Sequence, residues 1–230
     1  MSLIDFLFPK LCLGCNCIGT YLCPSCSEKL KIIDRETCLY CQKSSAFGLT
    51  HPKCLKNYYI DGLLSIYTYD SLLKKIIKNI KYRLATEVFK EFIKTIPSEA
   101  LIKFYGFKKI LKNAYLEPIP LSTKKFKERG FNQAFYVALY FKKLLNLPIS
   151  EHLVRKKNTF AQAQLSSKAK RYQNLKGAFA VKNRKKSINE IVVLVDDVVT
   201  TASTVKEACR VLKKNGAKKV FVWALARGFP

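Results

Sequence analysis

Long apolar runs dominate the C-terminal part of the chain. Residues 191–195 and 219–226 are continuous apolar stretches, the pattern of strands that are buried on both faces. Residues 203–215 between them fit a helix, and Gly216 follows as its C-terminal cap. A strand, a helix and a strand joined by short turns make a βαβ unit, which is typical of a parallel sheet covered by helices. The pattern therefore predicts an α/β fold with a central, mainly parallel sheet.

Two further elements are predicted near residue 70. Residues 63–69 (LLSIYTY) fit a strand, and a helix is expected from Ser71 because apolar residues then recur at helical spacing. These residues are Leu73, Ile76, Ile77, Ile80 and Leu84. Lys74, Lys78 and Lys81 share the opposite face, which a solvated surface explains equally well.

The middle of the chain is predicted to contain short elements. Residues 115–121 (YLEPIPL) fit a short strand, and its prolines place it near a sheet edge or at a strand end. A basic loop is expected next, followed by a helix from about Asn132 to Leu145. A further strand is predicted at residues 149–154.

The charge of the chain points to anionic partners. Among its 230 residues, 42 Lys and Arg stand against 16 Asp and Glu, a formal net charge of +26. Such an excess repels itself unless an anion screens it, so nucleic acid, anionic lipid or phosphorylated small molecules are expected partners. The alternative is a lysine-rich proteome in which many proteins are basic. Since 49% of the residues are hydrophobic, a packed core is expected and wholesale disorder is not.

One tract concentrates this charge. Between His152 and Asn189 there are eleven basic residues and no acidic one. We predict a long loop there that leads into a short helix, and the charge favours a place over bound anions. The candidate DNA-binding residues are Lys156, Lys157, Lys168, Lys170 and Arg171. The aromatic residues that could stack on bases from basic, irregular stretches are Tyr58, Tyr59, Phe160 and Tyr172.

The hydropathy of the chain predicts a cytoplasmic protein. No apolar stretch approaches the ~18–20 residues of a membrane span. The start, MSLIDFLFPK, has no basic segment before its apolar residues, and Asp5 interrupts them, which argues against a signal peptide. We expect these apolar residues to pack against the domain, with peripheral contact to the inner face of the membrane as the alternative.

A cysteine cluster marks the N-terminal segment. Eight of the nine cysteines lie between Cys12 and Cys54, and in a reducing cytoplasm such a cluster indicates metal binding rather than disulfides. The segment contains four pairs of ligands with two residues between the members of each pair, a strong zinc signal. The predicted ligands are Cys12, Cys15, Cys23, Cys26, Cys38, Cys41, His51 and Cys54. Cys17 falls outside the pattern.

The pairing of these motifs is open at this point. If adjacent pairs combine, two zinc sites form, whereas interleaving the first pair with the third gives another topology. We therefore predict one or two structural zinc ions. Residues 1–60 are predicted to form a small zinc-ribbon-like domain, and residues 61–230 the α/β domain.

Two adjacent aspartates follow the first buried C-terminal strand. Asp196 and Asp197 are expected where that strand ends, and ligands of open α/β sheets bind at the carboxyl ends of strands. The loop after them opens a helix, whose N-terminus favours a phosphate. Hydroxyl groups for that phosphate come from Thr200, Thr201, Ser203 and Thr204. The carboxylates suit ribose hydroxyls, with a magnesium ion offsetting their charge. The simpler interpretation is a helix N-cap, which accounts for one of these residues but not for the set.

The stretch VVLVDDVVTTASTVKEA resembles the loop that binds phosphoribosyl pyrophosphate (PRPP) in type I phosphoribosyltransferases. The resemblance implies PRPP and Mg²⁺ as ligands of Asp196, Asp197 and the segment 200–204. Ala202 stands where that family usually has glycine. If the position requires a positive φ or a close approach of the phosphate, alanine carries a penalty there.

Two more stretches resemble the ComF/GntX family of competence proteins. They are PIPLSTKKFKERGFNQA and NTFAQAQLSSKAKRYQNLKGAF, and together with the N-terminal cysteine pairs they extend the resemblance over nearly the whole chain. The resemblance implies a zinc-ribbon-like N-terminus, a phosphoribosyltransferase-like domain and a role in natural transformation, handling single-stranded DNA in the cytoplasm. It also implies that Arg129 lies near the pyrophosphate site and that a membrane-associated, helicase-like translocation protein is a partner.

Three functions are compatible with these features. The first is a competence protein that binds single-stranded DNA and carries a PRPP site. The second is a salvage phosphoribosyltransferase that makes a nucleotide from a base, and the third is a zinc-ribbon adaptor that senses PRPP. The charge of +26 and the acid-free tract favour the first, since a salvage enzyme does not need such a field. The sequence assigns no catalytic residue and no oligomeric state.

Overall fold

A computed structural model describes residues 9–82, 85–157, 175–182, 188 and 190–228. Most of the basic tract lies outside these residues. The predicted DNA-binding residues Lys168, Lys170 and Arg171 belong to that part, as do the candidate stacking residues Phe160 and Tyr172. The long loop and short helix predicted for the tract lie there as well.

Four parallel strands form the central sheet in the order β1–β6–β5–β2. Their bounds are β1 Gly62–Thr68, β2 Ala114–Pro118, β5 Ile191–Val199 and β6 Lys219–Arg227. Residues 191–195 of β5 and 220–226 of β6 are apolar on both faces of the sheet, as their continuous hydrophobic runs require. The predicted α/β fold with a mainly parallel sheet is confirmed.

The two shorter strands form a separate antiparallel pair. Strand β3 (Leu153–Arg155) pairs with β4 (Phe179–Val181). The strand predicted at residues 149–154 is therefore only partly right, because Ile149 makes a single bridge to Leu116 of β2 and the regular strand begins later. Strand β2 ends at Pro118 and is an edge of the four-stranded sheet, as its prolines indicated.

Helices cover both faces of the sheet. The described α-helices are α1 Pro24–Ser27, α2 Ser71–Tyr82, α3 Ala85–Lys94, α4 Ile102–Lys108, α5 Thr123–Arg129, α6 Gln133–Leu145 and α7 Ser203–Lys214. Helices α2, α3, α4 and α6 pack on one face around Trp223, which is fully buried against Phe104 and Phe141. Helix α7 packs on the other face with β3 and β4. The two apolar clusters thus cover opposite faces of the sheet.

Helix α5 corrects one prediction. The basic stretch after β2, predicted as a loop, is helical from Thr123 to Arg129. Its start is fixed by Ser122, whose Oγ accepts a hydrogen bond from the backbone N–H of Lys125 at 3.4 Å, and its end by Gly130 at φ +76°. The serine and the glycine were therefore the helix signals in this stretch, and the lysines between them are compatible with a helix.

The cysteine-rich segment packs directly on the α/β core. Cys12, Leu22 and Cys26 belong to the same apolar cluster as helices α2 and α3. Two carboxylates add polar contacts to this packing. Glu36 Oε1 lies 2.6 Å from Lys103 Nζ, and Glu91 accepts hydrogen bonds from Lys10, Thr20 and the backbone N–H of Tyr21. The domain boundary predicted at residue 60 stays a prediction.

Within the described ranges, every helix is too short or too polar to cross a lipid bilayer.

Candidate functional site

The two aspartates lie inside strand β5, not after it. The prediction that the strand ends before them is wrong, because β6 stays apolar and its pairing with β5 continues through Asp196↔Ala224 and on to Val199↔Arg227. Each carboxylate accepts a bond from the next backbone N–H, from Asp197 and from Val198, both at 2.9 Å. The aspartates still occupy the carboxyl end of a central parallel strand, where ligands of such sheets bind.

The loop after β5 enters helix α7 with unusual backbone geometry. Ala202 is the N-cap residue and has φ +57°, in the left-handed region. Its side chain offers no acceptor, so the simple N-cap interpretation of the acidic and hydroxyl residues is wrong for this helix. The positive φ that would penalise alanine is present, and the methyl group is buried in the apolar cluster beneath α7.

A cleft of about 430 Å³ opens at this end of the sheet. It brings together Arg129, Asp196, Asp197, Thr200 and Thr204, which lie on two separate segments of the chain. Thr201, Ala202 and Ser203 line a small adjoining pocket of about 30 Å³, to which Asp196, Thr200 and Thr204 also belong. All the residues predicted to bind PRPP are therefore close together in the fold.

Arg129 is positioned from the end of helix α5. Its Nη1 donates to Gln133 Oε1 at 2.9 Å, across the turn that Gly130 and Asn132 make between α5 and α6. Asn132 caps α6 by accepting from the N–H of Ala134 and donates to the carbonyl of Ile119. This turn ties Arg129 to the segment that follows β2, so the guanidinium faces a defined part of the cleft.

The structure adds cations that sequence reasoning missed. Arg155, at the end of β3, lines the cleft. Burial lowers its pKa below the ordinary arginine value, although the negative charge of Asp196 opposes this shift. Lys74, Lys78 and Lys125 also line the cleft. The shared face of the α2 lysines was the signal for this position, but a solvated surface explained it equally well. Arg155 belongs to the basic tract noted in the sequence, but its place near Asp196 depends on the packing of β3 and does not follow from the local sequence.

Five cationic side chains therefore surround two carboxylates in the cleft. Such a balance favours a polyanionic ligand over a neutral one, and guanidinium groups suit phosphate oxygens in a bidentate way. Hydroxyl groups and a helix N-terminus at one side provide further donors for a phosphate. The cleft has the chemistry of a site for a sugar phosphate with more than one phosphate group.

The cysteine pairs combine as adjacent pairs, in two clusters. The first cluster is Cys12, Cys15, Cys23 and Cys26, and the second is Cys38, Cys41, His51 and Cys54. In each cluster the four ligand atoms lie within 4.8 Å of one another. The interleaved topology is thereby excluded, and the two clusters can hold two zinc ions.

The geometry of the first cluster fits tetrahedral zinc. The sulfur atoms of Cys15 and Cys23 are 3.6 Å apart, near the ~3.8 Å that a tetrahedron with Zn–S bonds of about 2.3 Å requires. Burial raises the pKa of Cys12, but backbone N–H groups, that of Cys23 first, outweigh it and lower the pKa to about 6. The thiolate that zinc requires is therefore favoured at Cys12, whereas burial raises the pKa of Cys26.

The second cluster combines three cysteine sulfurs with one ring nitrogen, that of His51. The Nε2 atom of His51 donates to the carbonyl of Ser44 at 3.1 Å, which leaves Nδ1 as the nitrogen with a free lone pair. That Nδ1 lies 3.2 Å from Cys41 Sγ. Burial opposes ionisation of Cys38, but N–H groups beginning with that of Cys41 lower its pKa to about 7. The second cluster thus fits a closed, structural zinc site.

The two remaining cysteines stand outside the clusters. Cys17 is exposed and is absent from both ligand sets, as predicted. Cys209 is buried within helix α7, where burial raises its thiol pKa. Neither is placed for metal binding with the described clusters.

Only part of the predicted DNA-binding set is described. Lys156 and Lys157 are exposed just after β3, and Lys157 Nζ donates to the carbonyl of Lys176 at 3.3 Å. Tyr58 and Tyr59 lie beside the second cluster and close to helix α7. The exposed lysines and the tyrosines thus lie near α7, although they are far apart in the sequence.

The comparisons with known proteins agree with this architecture. The family model described as "Phosphoribosyl transferase domain" matches residues 137–228, which include β5, α7 and β6. Competence protein F of Haemophilus influenzae is 40% identical over 115 residues, about half of each chain (48% and 48%). Competence protein ComFC of Bacillus subtilis is 30% identical over 215 residues, 90% of this chain and 84% of that protein.

A third relative extends the match to almost the full length. DNA utilization protein YhgH of Escherichia coli K12 is 29% identical over 226 residues, 95% of this chain and 97% of that protein. The parallel sheet, the phosphoribosyl transferase match and the two cysteine clusters all agree with what the sequence resemblance implied. The chain therefore belongs to the ComF/GntX family of competence and DNA utilization proteins, with a phosphoribosyltransferase-like domain that follows two clusters suited to zinc.

Proposed function

We propose that this protein acts in DNA uptake during natural transformation, where it binds single-stranded DNA in the cytoplasm and PRPP with Mg²⁺ in the cleft. The cleft carries the proposal, because two carboxylates, a hydroxyl-rich loop at a helix N-terminus and two arginines converge there from distant parts of the chain. The printed names of the relatives, which refer to competence and to DNA utilization, support the process.

Each part of the cleft suits one part of PRPP. The loop 200–204 and the N-terminus of α7 suit the 5′-phosphate, since backbone N–H groups and hydroxyls donate to its oxygens. Asp196 and Asp197 accept bonds from the ribose hydroxyls. Arg129 and Arg155 suit the pyrophosphate. Mg²⁺ binds oxygen ligands such as these carboxylates and the pyrophosphate, and it would offset their charge.

The PRPP site is tested by calorimetry with Asp197→Ala. We expect PRPP and Mg²⁺ to bind the native protein and binding to be abolished in the variant, because the carboxylate lies at the cleft. Asp34→Ala, which removes an exposed aspartate of the cysteine-rich segment, is the matched control and should leave the affinity unchanged. Equal PRPP affinity of Asp197→Ala and native protein would refute the assignment.

The binding of single-stranded DNA is supported by charge. The net charge is +26, and Lys156 and Lys157 are exposed at the start of the acid-free tract. If about five phosphates are neutralised, log K should fall against log salt with a slope near −3.5, at ~0.7 per contact for single strands. Basic side chains contact the phosphates of a single strand and need no particular base.

The salt dependence gives the test. Anisotropy of a labelled oligothymidylate is measured between 50 and 300 mM salt with native protein and with Lys156, Lys157, Lys168 and Lys170 all changed to Glu. We expect weaker binding and a flatter slope in this variant. A control that reverses four exposed lysines elsewhere, Lys108, Lys109, Lys112 and Lys142, should affect binding less. An affinity that does not depend on salt, or that survives the first reversal, would contradict the proposal.

A transferase activity is the second candidate. The observation in its favour is a wall of Tyr69, Ile77 and Leu121 in the same cleft, which gives an apolar surface beside the carboxylates where a base could lie. Release of pyrophosphate from PRPP, assayed with each common nucleobase in turn, decides the matter. Release with one particular base would establish a salvage enzyme, whereas PRPP binding without release and without DNA binding would favour an adaptor that senses PRPP.

The proposed location is the cytoplasm, at the inner face of the membrane, with a helicase-like translocation protein as partner. The positive charge supports contact with an anionic membrane surface, and the helicase-like partner rests on the sequence resemblance. Fractionation of cells that produce the tagged protein, followed by affinity capture and mass spectrometry, tests both parts. We expect a salt-sensitive share at the membrane and capture of an ATP-dependent helicase. Recovery of the protein only from fractions exterior to the cytoplasm would contradict the location.

A further inference from the structure

A second cavity lies on the other side of residues 200–204, which we call the phosphate loop. It measures about 470 Å³ and is bounded by the segment after Cys54 and by helix α7. We call it the tyrosine groove. Its principal lining residues are Tyr40, Tyr58, Tyr59, Ser203, Lys206 and Arg210. Ser203 also lines the small pocket next to the PRPP cleft, so the groove begins where that site ends.

Aromatic rings form one wall of the groove. Tyr40 and Tyr59 are stacked, with ring centroids 4.4 Å apart and an interplanar angle of 13°. Tyr40 is fixed in place, because its hydroxyl accepts from the N–H of Ile60 at 3.0 Å. Tyr58 is 44% exposed and adopts φ +65°. The wall therefore combines a rigid stacked pair with a ring that is open to solvent.

Two cations of helix α7, Lys206 and Arg210, line the opposite wall, and Lys214 lies one turn beyond them. Lys206, Arg210 and Lys214 are four residues apart and so lie on one face of the helix. Lys206 Nζ lies 5.1 Å from the centroid of Tyr40, and Lys214 Nζ lies 5.7 Å from that of Tyr58. The positive charge of the groove is thus placed next to the rings, as at many sites that bind nucleic acid.

Two acidic residues on or near helix α7 are paired with its cations, and one of these pairs neutralises Arg210 of the groove. Glu207 is fully buried and binds Arg210 through two bonds of 2.7 Å, and it also accepts from Gly177 at 2.8 Å. Asp61 is paired with Lys213 at 2.7 Å. Lys157, near the start of the acid-free tract, donates to the carbonyl of Lys176, the residue before Gly177, at 3.3 Å. The described start of the basic tract therefore adjoins the α7 face that lines the groove.

From these contacts we propose that the tyrosine groove binds a segment of single-stranded DNA, with a base stacked on Tyr58 and the phosphates against Lys206 and Lys214. The proposal rests on the proposed function and assigns the DNA to a place on the surface. Single strands fit better than a duplex, because a stacking ring needs an unpaired base, and rings next to cations accept any base. The strand would then pass beside the PRPP site.

The stacking component is tested with Tyr58→Ala. Anisotropy is measured with labelled oligothymidylate and with an abasic oligomer of the same length, which has the charge without the bases. Stacking of one base contributes ~1–3 kcal/mol, so the variant should bind oligothymidylate about 5- to 150-fold more weakly. Its affinity for the abasic oligomer should not change. Tyr58→Phe keeps the ring and should behave as the native protein.

Tyr105→Ala is the matched control, because Tyr105 is 47% exposed and so resembles Tyr58. Tyr105 belongs to helix α4, which packs on the face of the sheet opposite α7. It should leave both affinities unchanged. The charge component is tested with Lys206→Ala combined with Lys214→Ala, which should flatten the salt slope by about 1.4. Removal of Lys142 and Lys143 from α6 in the same way is the control, since α6 packs on the other face.

The outcomes separate this inference from the proposed function. If native protein binds oligothymidylate and both the Tyr58→Ala and the lysine variants behave like their controls, the groove is not the binding site and the proposed function stands. If native protein binds neither oligomer, the proposed function fails and the groove assignment fails with it. Loss confined to the bases in Tyr58→Ala and to the salt slope in the lysine variant supports the groove.

Discussion

Glu117 is a buried carboxyl group whose ionisation should set a measurable pH dependence of stability. It lies on β2, is fully buried, and accepts bonds from the backbone N–H groups of His152 and Leu153 at 3.0 and 2.8 Å. Burial raises its pKa to about 7, against the effect of the two N–H groups. Through these bonds it anchors the start of β3, the strand that carries Arg155 into the cleft.

The sign of the effect follows from proton linkage. A glutamate in the unfolded chain has a pKa of about 4.3, so between that pH and about 7 the folded state keeps a proton that the unfolded state has released. Stability contributed by this group is therefore complete below the unfolded pKa and falls as the pH rises through the folded pKa. A pKa difference of about 2.7 corresponds to at most ~4 kcal/mol.

The perturbation is Glu117→Gln, which keeps the shape of the protonated acid but does not ionise. Replacing the carboxyl by an amide costs a hydrogen bond to one of the two N–H groups, and this cost does not depend on pH. The free energy of unfolding of the variant minus that of native protein should therefore rise by about 2.5 kcal/mol from pH 5 to pH 8. Protonation of the cysteine clusters affects both proteins and cancels in the difference.

The assay is urea unfolding of both proteins, loaded with zinc, at pH 5, 6, 7 and 8 and constant ionic strength. Glu91→Gln is the control. Despite its burial, the bonds from Lys10, Tyr21 and Thr20 lower the pKa of Glu91, so this group stays ionised across the range and its difference should be flat. A difference for Glu117→Gln that varies by less than about 0.5 kcal/mol would refute the reasoning.

Two further predictions concern the metal clusters and the phosphate loop. Protein purified without chelator should contain two zinc ions per chain by elemental analysis, and less than half an equivalent would contradict the assignment. The Gly14→Ala variant should lose one of the two ions, because a Cβ atom at residue 14 would overlap Cys26 Sγ. Ala202→Gly should change the free energy of unfolding by less than about 1 kcal/mol, since relief of ~1–2 kcal/mol of left-handed strain is offset by a lost buried methyl (~0.8) and a more flexible unfolded chain (~0.4–1). Urea unfolding decides this, and a change above about 2 kcal/mol in either direction would show that one effect dominates.

The elements predicted best from the sequence are those whose pattern depends on burial alone. Strands β1, β5 and β6 and helix α7 follow from apolar runs and spacing, because a strand buried on both faces has no polar positions to confuse the pattern. The extension of β5 through Asp196 and Asp197 did not follow from its own sequence. It depends on pairing with β6, which remains apolar opposite the two acidic residues.

The candidate site was predictable where the ligands are neighbours in sequence. The cysteine pairs and the stretch 196–204 belong to this class. The combination of pairs into two clusters, the place of Arg155 and the use of Lys74 and Lys78 depend on contacts between distant segments, which a single sequence does not reveal. Helix α5 was missed because its lysines suggested a loop, whereas the cap at Ser122 and Gly130 at φ +76° define it.

The most direct test of the account uses PRPP and single-stranded DNA on one preparation of zinc-loaded protein. Calorimetric titration with PRPP and Mg²⁺ is followed, on the same sample, by anisotropy of labelled oligothymidylate over a range of salt. The account predicts one PRPP bound per chain, dependent on Mg²⁺, and DNA binding that weakens with a slope near −3.5 in log K against log salt. Protein that contains both zinc ions but gives no saturable heat with PRPP would contradict the central claim that the cleft around Asp196 and Asp197 is a PRPP site.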